Sequence, residues 1–116
     1  MGSIAHTVLI VDDDESMRML CRVNLELAGY RVVEAPTIEG ACASLRKDEI
    51  DVVLLDVHVG SDDGFSVLDE VTRERVILFT GSLEVTPGHR ARVDAVLNKP
   101  FTLDQLHATV DGVAPA

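Results

Sequence analysis

The side chains best suited to chemistry in this chain stand directly after apolar runs. Asp12, Asp13 and Asp14 follow Val8-Leu9-Ile10-Val11, and Asp56 closes Val52-Val53-Leu54-Leu55. Thr80 follows Val76-Ile77-Leu78-Phe79, and Lys99 comes one residue after Ala95-Val96-Leu97-Asn98 begins to turn polar. If those runs end on one side of a fold, Asp12, Asp13 and Asp56 meet Lys99 and leave a formal charge of −2. Clustered carboxylates raise one another's pKa unless a cation joins them. Hard oxygen donors with room for water suit Mg²⁺. A divalent ion offsets the −2, and with Thr80 and Lys99 it prepares a place for a phosphoryl group.

Each residue alone has a plainer account. Asp12, Asp13 and Asp14 fit a helix N-terminus, where the dipole favours acids. Asp56 fits a loop, Thr80 a strand, and Lys99 a solvated surface. Their joint placement after the apolar runs is what favours chemistry.

The elements that must position them follow from periodicity. The apolar runs do not alternate with polar residues, which is the pattern of strands buried on both faces of a parallel sheet. Arg31-Val32-Val33-Glu34 is more polar and suits an edge strand. Helical spacing lies between the runs. Residues 15–28 place Met17, Leu20, Cys21, Leu27 and Ala28 on one stripe, with Gly29 as a stop. Residues 38–47 carry Ile38, Ala41, Cys42 and Leu45 behind a Thr37 N-cap. Residues 65–73 bury Leu68 and Val71, and residues 103–113 bury Leu103, Leu106, Val110 and Val113 behind a Thr102/Gln105 capping box. A short helix is expected between Ser82 and Val93. The order is strand then helix, five times, which predicts a doubly wound five-stranded parallel sheet in the order 2-1-3-4-5. All the strand ends named above then share one rim, where ligands of such sheets bind.

Composition narrows the partners. The 116 residues fit one domain spanning 1–116. Ten basic against 20 acidic residues give −10, which opposes direct nucleic-acid binding. No apolar run reaches membrane-spanning length, and the first residues lack a signal-peptide pattern. Cys21 and Cys42 are too few for a disulfide scaffold, suit a reducing cytoplasm and fall on apolar stripes, where they are expected in the core. His6, His58, His89 and His107 lack metal-ligand spacing. Gly60-Ser61-Asp62-Asp63-Gly64 has neither Walker nor dinucleotide spacing.

These residues carry a resemblance to the receiver domain of two-component response regulators. The matching pieces are Val8-Leu9-Ile10-Val11-Asp12-Asp13, Asp51-Val52-Val53-Leu54-Leu55-Asp56, Asp63-Gly64, Phe79-Thr80-Gly81 and Lys99-Pro100-Phe101, covering about residues 6–112. The resemblance implies a flavodoxin-like fold with Asp56 as phosphoacceptor, charged by a histidine kinase or phosphotransfer protein in the cytoplasm. It implies Mg²⁺ held by Asp12, Asp13, Asp56 and the backbone carbonyl of His58. It makes Thr80 the switch hydroxyl and Lys99 the partner first of Asp56 and then of a phosphoryl oxygen, with a cis bond to Pro100. It also implies a signalling module whose downstream target is a protein, and no enzyme beyond its own phosphotransfer and autodephosphorylation.

The chain departs from the family pattern in places. Gly60 replaces a usual Pro, and Val96 replaces a usual aromatic residue. Residues 81–93 are short for a crossover, and Pro87-Gly88 disfavours a continuous helix there, so the fourth helix is expected to be very short. His89, Arg90 and Arg92 then make a basic spot for an acidic partner, and signal output is expected to use this segment. Two other readings compete: a phosphorylation-independent pseudo-receiver and a small Mg²⁺-dependent aspartyl-phosphate phosphatase. The first is favoured by loss of an acid or the lysine, and none is lost. The second calls for an Asp where His58 stands. No DNA-binding or catalytic region follows within the chain, so a stand-alone module and a piece of a longer protein are both expected forms.

Overall fold

The apolar runs become strands because a parallel sheet buries both of their faces. The computed structural model describes residues 6–60, 62–81 and 85–115. In chain order it has β1 (Thr7–Val11), α1 (Glu15–Leu27), β2 (Arg31–Ala35), α2 (Ile38–Lys47) and β3 (Val52–Asp56). A hairpin of β4 (His58–Val59) and β5 (Asp62–Asp63) follows, then a 3-10 helix (Gly64–Glu70). β6 (Arg75–Thr80), α3 (Pro87–Arg90), β7 (Ala95–Asn98) and α4 (Leu103–Val113) complete it. The main sheet runs β2-β1-β3-β6-β7, every pair parallel. This is the expected 2-1-3-4-5 order, with the hairpin inserted after the third strand.

Alternate residues of each strand serve opposite layers. Val8, Ile10, Val52, Leu54, Ile77 and Phe79 pack with Cys21 and Leu25 of α1 and Leu106 and Val110 of α4. Leu9, Val11, Val53, Leu55 and Leu78 pack with Ala41 and Leu45 of α2 and with Phe65, Val67 and Leu68 of the 3-10 helix. Each such fully buried side chain contributes about 1.5–3 kcal/mol, so the strand ends are held by a stiff frame. Helix starts follow the sequence signals. Thr37 caps α2 by accepting from the Gly40 amide at 3.0 Å, and Thr102 and Gln105 form the capping box of α4. Among Asp12, Asp13 and Asp14, the helix-cap account holds for Asp14, whose side chain accepts from the Ser16 and Met17 amides.

Several expectations are corrected. The segment read as a helix over 65–73 is a 3-10 helix over Gly64–Glu70, and Val71 lies beyond it, half-buried. A 3-10 turn rises about 2.0 Å per residue against 1.5 Å, so few residues span more of the sheet. The fourth helix is very short, as expected: it is the four-residue α3, with residues 82–84 outside the described residues. Pro87 starts this helix rather than breaking it, because the first helical position needs no amide donor, and Thr86 caps it. Leu27 is 81% exposed and Leu20 43%, while Leu25 is fully buried. Cys21 and Leu25 define the inner face, and Leu27 lies roughly 200° round from Leu25 at about 100° per residue. Leu103 is likewise exposed, and Cys42 is only half-buried, one step round from the Ala41 and Leu45 face.

Candidate functional site

Five chain segments converge on one rim. β1 ends at Val11, so Asp12 falls at the mouth of the sheet, 1% exposed, with its N–H donating to the Ala35 carbonyl at 3.2 Å. Asp13 beside it is exposed. Asp56 is the last residue of β3, next strand over. Asp56 registers with Phe79 of β6, so Thr80 stands one residue further along that strand. Thr80 pairs with Asn98 of β7 and its carbonyl accepts from the Lys99 amide at 2.8 Å. The parallel register therefore delivers Asp12, Asp56, Thr80 and Lys99 to one edge.

The carboxylates gather closely. One oxygen from each of Asp12, Asp13 and Asp56 lies within 4.8 Å of the others. Lys99 Nζ sits 3.6 Å from Asp56 Oδ1 and 3.8 Å from Asp12 Oδ2. The same ammonium lies 4.5 Å over the Phe79 ring, which meets Phe101 in a T-shaped contact. The apolar stem of Lys99 is thereby held against the sheet while its charge faces the acids. The Lys99-Pro100 bond is cis.

Asp12 carries the strain of this cluster. Its Oδ1 accepts from the Asp14 amide at 2.9 Å, but its buried Oδ2 has no hydrogen-bond partner. Burial pushes its pKa up to about 6, helped by the Asp56 carboxylate and opposed by the Asp14 amide and Lys99. A buried carboxylate oxygen without a donor calls for a cation. Three hard oxygen donors around a net −2 fit a small divalent ion such as Mg²⁺.

The loop after Asp56 is shaped by close approach. The His58 amide donates to Asp56 Oδ1 at 3.4 Å, while its side chain is exposed. Gly64 donates its amide to the Val57 carbonyl at 2.7 Å, and a Cβ on Gly64 would lie 2.0 Å from the Asp56 carbonyl oxygen. Only glycine fits there. Gly60, where the resemblance leads one to expect Pro, has φ +63 and turns the β4–β5 hairpin. The hairpin pairs two residues on each side, His58 with Asp63 and Val59 with Asp62.

Sequence reasoning overlooked Arg18. It lies four residues after Asp14 in α1, and its guanidinium donates from Nη1 to the Asp12 carbonyl at 2.8 Å and from Nε to Glu34 Oε1 at 3.2 Å. The available signal was a cation one turn into the helix that follows the acids. The basic spot is largely engaged within the molecule. Arg92 pairs with Asp69 at 2.9 Å, Arg90 donates to the Val93 carbonyl at 3.4 Å, and the His89 ring lies on Phe65.

A parallel five-stranded sheet with an acidic rim, a strand-end threonine and a rim lysine defines a receiver-type domain. The response regulator receiver domain model matches residues 8–111, and the chain belongs to that family. It is 32% identical over 112 residues to a probable transcriptional regulator, ycf27, of Porphyra purpurea, covering 91% of this chain and 46% of that protein. It is 32% identical to the uncharacterized transcriptional regulatory protein YrkP of Bacillus subtilis, covering 92% of this chain and 48% of that one. The chemotaxis protein CheY4 of Vibrio cholerae superposes with a TM-score of 0.83 at 26% identity, over 95% of this chain and 99% of its own. The chain thus spans about half the length of the curated relatives it matches. Among the described residues no helix is long and apolar enough to cross a membrane.

Proposed function

We propose that residues 1–116 form one phospho-accepting switch, with Asp56 as the acceptor. An Asp56 oxygen attacks the phosphorus of a phosphohistidine on a histidine kinase or phosphotransfer protein. The phosphorus–nitrogen bond breaks, and the imidazole leaves with the electron pair and takes up a proton. Lys99 moves from its pairing with Asp56 to an oxygen of the new phosphoryl group, and the Thr80 hydroxyl binds another. Asp12, Asp13, Asp56 and the His58 backbone carbonyl would hold Mg²⁺, which would supply charge neutralisation at the phosphoryl oxygens. The chemistry needs positioning and charge more than covalent help, which this rim offers.

The observation that carries this reading is the unpartnered, buried Oδ2 of Asp12 facing Asp56 and Lys99. The phosphoryl group changes contacts with a downstream protein. The reading places the domain in the cytoplasm with its phosphodonor. A net charge of −10 argues against the domain itself holding DNA, even though its relatives are named transcriptional regulators.

Incubation with acetyl phosphate and Mg²⁺ tests the assignment by intact mass. The expected result is a gain of about 80 Da for one phosphoryl group, absent in Asp56→Asn, because an amide is no acceptor. Full labelling of Asp56→Asn, or none of the wild type, overturns it.

A further inference from the structure

Asp12 is pinned at every polar atom but one. Its N–H is fixed to the Ala35 carbonyl at the end of β2, and its Oδ1 to the Asp14 amide. Its carbonyl accepts from Arg18 Nη1 at 2.8 Å. Only Oδ2 is left over, buried and aimed toward Lys99 at 3.8 Å. The carbonyl contact is the one that comes from a side chain, and that side chain is itself braced. Arg18 is 13% exposed, and its Nε donates to Glu34 Oε1 on β2. Glu34 Oε2 in turn accepts from Arg22 Nη1 at 3.0 Å. Arg18 therefore joins α1, β2 and the β1–α1 loop at one planar fork, a geometry an ammonium does not reproduce.

We propose that Arg18 is a positioning residue for the divalent-ion site, holding the Asp12 backbone so that Oδ2 and Asp13 present their oxygens together. This rests on the metal reading above. Partners of metal ligands that do not touch the ion set ligand orientation, and losing one typically weakens binding about 10- to 100-fold. Sign separates this role from simple charge. A guanidinium on the Asp12 carbonyl repels a divalent cation held by the Asp12 side chain, so deleting it should tighten binding if charge were all that mattered. Positioning requires the opposite.

The test is Mn²⁺ binding followed by electron paramagnetic resonance, with Mg²⁺ as competitor, on the full chain. Arg18→Ala is expected to weaken Mn²⁺ and Mg²⁺ at least about tenfold. Arg22→Ala loses the same kind of Glu34 contact without touching Asp12 and should bind within about twofold of wild type, the size of a remote change. Arg18→Lys keeps the charge but not the fork, and should bind more weakly than wild type; it carries the test if Arg18→Ala does not fold. In metal-free protein the Asp14 amide should exchange with solvent faster in the Arg18 variants than in Arg22→Ala. Unchanged or tighter binding in the Arg18 variants, or equal weakening by Arg22→Ala, overturns the inference while leaving the metal site standing. A wild type that binds no Mn²⁺ overturns both.

Discussion

The rings of Phe65 and His89 lie face to face, with centroids 3.7 Å apart and planes 7° from parallel. Phe65 is the second residue of the 3-10 helix, next to Gly64, which has no room for a Cβ against the Asp56 carbonyl. His89 sits in the four-residue α3, where its Nδ1 lies 3.2 Å from Thr86 Oγ1. A helix of one turn has almost no stability of its own. The stack and the Arg92–Asp69 pair help anchor α3, beside Val85 and Val93, which pack on the core from either side of it.

His89→Ala is therefore expected to cost about 1 kcal/mol, the usual worth of an aromatic pair beyond its burial. Urea unfolding measures it. Amides 89–92 should lose exchange protection while those of β1 and β3 keep theirs. With a phosphoryl mimic bound, wild-type chemical-shift changes should extend from residues 64–65 into 86–93. A response confined to α4 and β7 would refute that path.

Gly64→Ala places a methyl group 2.0 Å from the Asp56 carbonyl oxygen. Its nearest neighbours, the Asp56 and Val57 carbonyl groups, are backbone and do not yield cheaply. The expected loss is about 3 kcal/mol, at the upper end for overpacking, read from the denaturant midpoint. Phosphoryl labelling should fall as well, because the Asp56 backbone must move.

Mg²⁺ should raise the melting temperature by mass action, at about 2.7 kcal/mol for a concentration 100 times the dissociation constant. Na⁺ at equal ionic strength should not do so. Asp13→Ala removes an exposed side chain whose loss should cost the apo protein little, yet it should abolish the Mg²⁺-dependent rise. A full rise in Asp13→Ala would remove that residue from the site.

Alkaline stability should depend on Tyr30. Burial, together with the hydrogen bond from its hydroxyl to Asp111 Oδ1, pushes its pKa up from 10.0 to about 12. The folded chain then holds the phenolic proton in a range where the unfolded chain releases it. The stabilisation is complete below pH 10 and is lost as pH rises toward 12. Denaturation from pH 9 to 12 should show a shallower decline for Tyr30→Phe than for wild type.

Much of the fold was legible because burial on two faces writes itself into composition. Val8-Leu9-Ile10-Val11 and Val52-Val53-Leu54-Leu55 have no polar alternation, and only a covered parallel sheet accepts such runs. Once the strands are parallel, their C-terminal ends share a rim, so Asp12, Asp56, Thr80 and Lys99 come together as a consequence of register. Asp63-Gly64 was legible as a motif, but its reason was not. The need for glycine arises from the backbone of Asp56 and Val57, earlier in the chain and folded back to touch it.

Elements with local signals were readable from residue order alone: the buried strands, the Thr37 and Thr102 caps, and the acids that follow the strands. The remaining features depend on direction between distant segments. The angle of α1 on the sheet turned Leu25 inward and Leu27 out. The short span left after β5 drew residues 64–70 into a 3-10 helix. The meeting of α1 with the ends of β1 and β2 put Arg18 on the Asp12 carbonyl, and the approach of α3 to the 3-10 helix laid His89 on Phe65. Local periodicity fixes which face of an element is apolar. It does not specify how that face is rotated against a neighbour many residues away, and hydrogen bonds and ring stacks are decided by that rotation to within an ångström.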